Sequence, residues 1–320
     1  MSVKPILIVA GEPNSIFLEI FFKALKLKKF KSPLVLITSE QILKKQMEIL
    51  KFKKKIKFID PKYLNIMKLD NKSINLINVD YNQKNGFEKI TKKSNKFIEK
   101  SFRIAFKILN EGKTNKFING PISKKIFLNK NHLGMTEYIS KKFEIKETAM
   151  LIYNKNLSVC PLTTHLPVKQ ISKNITKQQI ISKVKLVNKF YTNYLGFTPR
   201  IAILGLNPHC ESIHNFNEDD KIIKPTIKYL KKKYKVSGPF PADTLFMKKN
   251  REKFNVIIGM YHDQVLTPIK TLFEYDAINI TLGLPFIRIS PDHGPNESMV
   301  GKNVSNPLSL IQAINFLEKN

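Results

Sequence analysis

Three short apolar runs in this chain break on the same kind of turn. Residues 157–162 run into Thr163-Thr164-His165, residues 201–206 into Asn207-Pro208-His209, and residues 256–260 into Tyr261-His262-Asp263. Each run is too short for a helix, is rich in aliphatic residues and reads as a buried strand. Helical spacing takes over between them, across residues 180–194 and 222–230. Strands that alternate with helices restrict the chain to largely parallel sheets with helices on both faces.

The same syntax fills the rest of the chain. Residues 4–10 and 33–38 read as strands. Ile16, Phe17, Ile20, Phe21 and Leu25 recur at helical spacing, and Ser39 is placed to cap the next helix. A long amphipathic stretch, 87–109, leads to the short run Phe117-Ile118 and the turn Asn119-Gly120-Pro121. The last helix is expected from Ser305 with Pro307 in its first turn, burying Leu310, Ile311, Ile314 and Leu317. At 320 residues the chain is long for one small core and comfortable for two α/β lobes. No repeat and no Gly/Ser linker separates them.

Composition excludes several classes. No apolar run approaches the length of a membrane span, and the first residues lack a signal-peptide layout. Cys160 and Cys210 are the only cysteines, so a reducing cytoplasm is expected. The net charge of +30 invites a nucleic-acid reading, but only Arg103, Arg200, Arg251 and Arg288 among 55 basic residues are arginine. Nucleic-acid surfaces favour arginine for bidentate and stacking contacts, so no nucleic-acid partner is expected.

The three histidines share one context: each follows the carboxyl end of a strand, where open α/β sheets bind ligands. Parallel strands can gather imidazoles across sequence gaps of 44 and 53 residues. Two readings stay open: surface histidines, or a metal site with an open position for substrate oxygen. Asp263 is either a carboxylate orienting an imidazole or a helix cap, and Cys210 is either a further ligand or a packed thiol. Arg288 lies in an apolar segment of a lysine-biased chain, which points to a need for its two-pronged donor geometry. Its partner is a substrate carboxylate or phosphate, or else a structural carboxylate. Gly120-Pro121 with Ser123-Lys124 can hold an anion at a helix start. There is no GxGxxG and no GxxxxGK[ST], so a Rossmann fingerprint and a P-loop are both absent.

Taken in order, the segments resemble the 4-hydroxythreonine-4-phosphate dehydrogenase family of vitamin B6 biosynthesis. The resemblance is carried by Gly11-Glu12-Pro13, Asn119-Gly120-Pro121-Ile122-Ser123-Lys124, Thr136-Glu137 and Thr164-His165. It continues through Gly205-Leu206-Asn207-Pro208-His209, Gly238-Pro239-Phe240-Pro241-Ala242-Asp243-Thr244 and Tyr261-His262-Asp263-Gln264. It closes on residues 279–288, with Gly283-Leu284-Pro285-Phe286, and on Asp292-His293-Gly294.

The resemblance implies two α/β/α lobes with a cleft between them, of the isocitrate/isopropylmalate dehydrogenase type. We expect the first lobe over residues 1–125 with 275–320, and the second, with the metal histidines, over 126–274. It implies NAD(P)-dependent, metal-dependent oxidation of 4-phosphooxy-L-threonine to 2-amino-3-oxo-4-phosphooxybutanoate, which decarboxylates to 3-amino-2-oxopropyl phosphate. The implied ligands for zinc, magnesium or cobalt are His165, His209 and His262, at a site shared between two subunits of a homodimer. The implied substrate contacts are Thr136, Lys270, Asn279 and Arg288, and the cofactor-side loop holds His293, Gly294 and Asn296. The general base is left open between Lys270, Asp243 and a metal-activated water. The chain departs from the family at Met135, where the family carries a histidine. It departs again at Asn14-Ser15-Ile16-Phe17-Leu18, in place of Ala-Gly-Ile-Gly-Pro, and at Cys210-Glu211-Ser212, in place of Ala-Gly-Glu. At His293-Gly294-Pro295-Asn296 the family has His-Gly-Thr-Ala. Met135 motivates an alternative substrate, a four-carbon sugar-acid phosphate, and the last loop leaves NAD and NADP both open.

Overall fold

The computed structural model describes residues 4–128, 134–212, 216–291 and 293–320, so the expectation at Asp292 lies outside the described residues. The chain opens with β1 (Ile6–Val9), α1 (Phe17–Leu27), β2 (Leu34–Thr38), α2 (Glu40–Ile49), β3 (Ile56–Phe58) and β4 (Ile74–Asn78). There follow α3 (Asn95–Asn110), β5 (Lys116–Asn119), α4 (Met135–Lys142), β6 (Ala149–Tyr153), β7 (Ser158–Thr163) and α5 (Lys177–Phe190). Next come β8 (Ile201–Leu204), α6 (Lys224–Leu230), β9 (Val236–Phe240), α7 (Ala242–Leu245), α8 (Lys248–Arg251) and β10 (Val256–Tyr261). The last elements are α9 (His262–Phe273), β11 (Ile278–Leu282), β12 (Ile287–Pro291) and α10 (Leu308–Lys319).

Two compact units divide these elements, Met1–Tyr138 with Pro285–Asn320, and Ile139–Leu284. The boundaries expected at 125 and 274 therefore move. Tyr138 stays with the first unit because its ring packs on Phe102 and Phe106 of α3. Strand β11 falls in the second because it pairs with β6.

In the first unit the strands run β3-β4-β2-β1-β5-β12, and every pair is parallel. Ile6, Leu7, Ile8 and Val9 of β1 are all fully buried, as a central parallel strand with both faces covered requires. In the second unit the order is β11-β6-β7-β10-β8-β9, and the pairs β11–β6 and β6–β7 are antiparallel. The alternation of elements did not announce those two reversals. The Asn154-Lys155-Asn156 link between β6 and β7 is tied by the Asn156 N–H donating to Asn154 Oδ1 at 2.9 Å.

Two helix starts differ from expectation. The stretch from 87 becomes helix only at Asn95, after Thr91 caps a short 3₁₀ turn by accepting from the Lys93 N–H. The last helix starts at Leu308, whose N–H donates to Asn306 Oδ1 at 2.9 Å. Ser305 does not cap it: among the described residues its buried Oγ has no hydrogen-bond partner, and its N–H donates to the buried Glu19 carboxylate at 2.6 Å. Ile311 is half-buried, while Leu310, Ile314 and Leu317 are buried as expected. Ser39 does cap α2, accepting from the Ile42 N–H. No helix among the described residues is long and apolar enough to cross a membrane.

Candidate active site

The histidine turns belong to the second unit, at the carboxyl ends of β7, β8 and β10. Strands β7 and β10 are parallel neighbours with Thr163 opposite Tyr261, so the chains that leave them emerge side by side. Thr163 Oγ1 donates to the carbonyl of Met260 at 2.8 Å and ties the two ends together. The rings of His165 and His262 consequently lie 6.0 Å apart. His165 takes a left-handed backbone, φ 52°, a conformation costly for a residue with a Cβ and common at functional turns.

His262 opens α9, and its Nδ1 stands 2.6 Å from Asp263 Oδ1. A carboxylate on Nδ1 fixes the ring's tautomer and leaves the Nε2 lone pair for a ligand. Gln264 locks the same turn. Its Oε1 accepts from the Met260 N–H at 2.7 Å and its Nε2 donates to the Gly205 carbonyl at 2.8 Å, which joins the end of β8 to the start of α9.

His209 is exposed on the 3₁₀ turn Pro208–Cys210, and its backbone is also left-handed at φ 58°. Asp219, fully buried, accepts from the N–H groups of Leu206 at 2.9 Å and Asn207 at 3.0 Å, and from the Asn207 side chain at 2.9 Å. Gly205 must be glycine, because a Cβ there would fall 2.6 Å from Asp219 Oδ1 and 2.7 Å from Cys210 Sγ. Cys210 is a packed thiol, with its pKa pushed up by burial and then by Asp219. Asp219 and the role of Gln264 escaped sequence reasoning, since an acid beside Glu218 in a helical stretch carries no signal of burial. Asp219→Ala should destabilise the chain by about 2–4 kcal/mol, because three donors lose a charged acceptor. Denaturant unfolding checks this, and a loss under 0.5 kcal/mol would remove Asp219 from the support of the His209 turn.

The structure thus brings His165 and His262 together. Among the described residues no group of three or more His, Cys, Asp or Glu side chains is placed to hold a metal ion, so His209 does not complete a tripod within one chain. Two imidazoles, one backed by a carboxylate, fit a borderline divalent cation that takes its remaining ligands from elsewhere.

The other expected residues divide between the units. In the second, Asp243 is exposed in α7 and lies close enough to the His209–Cys210 turn to act electrostatically on the Cys210 thiol. Lys270 is exposed in the last turn of α9. Asn279 lies opposite Ile152 in the β11–β6 pair, and its buried Oδ1 has no hydrogen-bond partner among the described residues. Gly283 turns the chain out of β11 at φ 96°, where a Cβ would fall 2.4 Å from the Glu147 carbonyl oxygen.

In the first unit, Met135 and Thr136 open α4, with Met135 buried and Thr136 half-buried. Arg288 is 2% exposed, and its Nε donates to Asn119 Oδ1 at 2.7 Å. Burial pulls its pKa down to about 10, and the Glu137 carboxylate pulls the other way. Glu12, also buried, accepts from the Asn14 N–H at 3.1 Å and from Ser94 Oγ at 2.9 Å, which makes it a pin for the first loop. That loop meets the His293 segment. The Ile16 N–H donates to the Pro295 carbonyl at 3.2 Å, and the Phe17 and His293 rings lie 6.5 Å apart. Asn296 is left-handed at φ 50°. At Gly294 the nearest atom to a would-be Cβ is Asn296 Oδ1 at 3.7 Å, so a cofactor can approach the backbone there.

Comparison with known proteins bears on this arrangement. The family model described as pyridoxal phosphate biosynthetic protein PdxA matches residues 29–317. The chain belongs to the PdxA family. A PdxA relative from Sulfurihydrogenibium sp. (strain YO3AOP1), named 4-hydroxythreonine-4-phosphate dehydrogenase, is 39% identical over 96% of this chain and 95% of its own length. Another from Oceanobacillus iheyensis, bearing the name D-threonate 4-phosphate dehydrogenase, is 33% identical over 66% of this chain and 65% of its own. The solved structure of a 4-hydroxythreonine-4-phosphate dehydrogenase from Salmonella typhimurium superposes with a TM-score of 0.86 at 25% identity, covering 99% of each chain. An isocitrate dehydrogenase from Methylococcus capsulatus shares the fold alone, with a TM-score of 0.51 at 8% identity over 97% of this chain and 84% of that one. The isocitrate-dehydrogenase type of architecture expected from the resemblance is therefore found.

Proposed function

We propose that this PdxA-family chain oxidises the secondary alcohol of 4-phosphooxy-L-threonine, with NAD or NADP as hydride acceptor and a divalent cation at the histidines. The observation that carries the reading is the pairing of His165 and His262 at adjacent strand ends, 6.0 Å apart between rings. A bound cation would supply Lewis acidity at the alcohol, the effect that on zinc lowers the pKa of water to about 7.

The chain's own residues do the rest. Asp263 holds His262 in the tautomer that presents Nε2. Asn279 Oδ1, buried without a partner among the described residues, accepts from the substrate's ammonium or hydroxyl. Thr136, Lys270 and Arg288 are assigned to the substrate's anionic groups, and Lys270 or Asp243 to the proton that leaves the alcohol. The backbone at Gly294, with His293 and Asn296, is assigned to the coenzyme. His209, exposed and apart from the other two histidines, is assigned to the site of a second copy in a homodimer. Cys160 and Cys210 are free and buried, which fits a reducing cytoplasm.

A second reading is favoured by Met135, which is buried where the family has a histidine and offers no donor to a phosphate. Loss of that donor widens the choice towards a four-carbon sugar-acid phosphate, the substrate class in the name of the Oceanobacillus relative. Initial rates with both compounds, both coenzymes, and Zn²⁺, Mg²⁺ or Co²⁺ separate the two. We expect kcat/KM at least about tenfold higher for 4-phosphooxy-L-threonine, a difference of about 1.4 kcal/mol in transition-state binding. A reversed ratio would transfer the assignment to the sugar acid. Coenzyme binding without turnover of either would mean a site that has lost its dehydrogenase chemistry.

A further inference from the structure

The amino ends of the first unit's parallel strands surround a second concavity, opposite the strand ends that carry Asn119 and Gly120. It has a volume of about 530 Å³ and is lined by Lys4, Lys31, Lys68 and Lys113, with Leu64 and Met67 among its apolar walls. Four of its eleven lining residues are lysine. Lys113 is already engaged, at 2.7 Å from Glu111 Oε2 and 2.8 Å from the Pro61 carbonyl. Lys4, Lys31 and Lys68 form no ion pair among the described residues.

A further feature lies near Lys4. Lys116, the first residue of β5, is only 7% exposed as a residue, and its ammonium reaches solvent with no hydrogen bond or ion pair among the described residues. Burial holds its pKa below the usual lysine value, Lys4 pushes in the same direction, and Glu318 opposes both. An anion beside Lys4 would offset the repulsion between the two cations. Glu318 does so only in part, since its Oε1 is already used by the N–H groups of Lys31 and Ser32.

We propose that this concavity is a second binding site, for a phosphorylated small molecule of about nucleotide size carrying more than one negative charge. Pockets for such ligands span roughly 300–1,000 Å³ and combine apolar walls with a few convergent polar groups. Lysine binds phosphate as a point charge without demanding one orientation, which suits a chain with so few arginines. The pocket makes no use of the histidines, of Arg288 or of the Gly294 loop, so it stands whether or not the dehydrogenase reading holds.

The test is calorimetric titration of the full chain with ADP at about 0.15 M salt, where exposed charges more than about 8 Å apart are screened. We expect saturable binding that weakens about tenfold in Lys31→Ala/Lys68→Ala, the loss of two exposed charge contacts of up to about 1 kcal/mol each. A control, Lys185→Ala/Lys189→Ala, removes the same charge from exposed positions on α5 and should bind as wild type. Equal affinity in all three proteins would overturn the proposal, because ADP would then occupy another site. Equal weakening in both double variants would also overturn it, by showing general charge attraction. Displacement of ADP by poly-glutamate at lower concentration than by pyrophosphate would assign the surface to an acidic protein segment, and the small-molecule site would be wrong.

Discussion

Replacing His262 with alanine removes at least about a thousandfold of kcat/KM, well beyond the 10- to 100-fold typical of losing an outer-shell partner, and leaves the fold intact. The imidazole is 37% exposed, so its truncation opens no core cavity and the unfolding free energy should change by less than about 1 kcal/mol. His165→Ala should behave alike, since the two rings are neighbours in one chain. Asp263→Asn should fall between wild type and these variants, about 10- to 100-fold down, because it weakens ligand orientation without removing a ligand. Metal content measured on the same preparations should drop with activity. Full metal occupancy in His262→Ala would refute the assignment.

The geometry also dictates how inactive variants complement each other. If His165 and His262 come from one subunit and His209 from its partner, mixed dimers of His209→Ala and His262→Ala hold one intact site. Random reassociation should then restore about a quarter of wild-type activity. Mixing His165→Ala with His262→Ala should restore none. Recovery in the second mixture, with subunit exchange demonstrated, would place the paired histidines in different subunits.

Arg288→Met should be among the most damaging single substitutions for stability. The guanidinium is buried and donates to Asn119 Oδ1, and the Glu137 carboxylate acts on it electrostatically. Methionine fills much of the volume but leaves the buried Asn119 acceptor without its charged donor. Losing a buried hydrogen bond to a charged group costs about 1.5–3 kcal/mol. Arg288→Lys keeps the charge and loses the fork, which should cost about 1–3 kcal/mol in stability. If Arg288 also reaches the substrate's anion, kcat/KM of the folded Arg288→Lys protein falls about ten- to a hundredfold. Denaturant unfolding and kinetics on one preparation separate the two effects. Wild-type stability in Arg288→Met would mean that the buried contact with Asn119 carries no weight.

Much of this was legible before folding. Apolar period and run length are local properties, so β1, β2, β7, β8 and β10 could be read directly, with α1 and the Ser39 cap. The turns that carry His165, His209 and His262 were visible for the same reason, because a strand, a break and a polar residue follow within ten positions. Arginine at 288 was informative against a background of lysine, although sequence could not say which partner it serves.

Pairing and burial of polar groups were decided only by the tertiary structure. Ser305 reads as a helix cap, yet its N–H goes to Glu19, 286 residues away; Pro307 stands at the cap position and Asn306 accepts from the Leu308 N–H. Strand β6 looks like any other apolar run, and only its neighbours make it antiparallel to both β7 and β11. Asp219 resembles its surface neighbour Glu218 until three donors of the His209 turn converge on it. The histidines show the division most clearly: all three follow strand ends, but only adjacency of β7 and β10 puts two of the rings together. Local periodicity depends on a few successive residues, whereas a buried hydrogen bond depends on which distant segment arrives opposite it, and that is set by the packing of the whole chain.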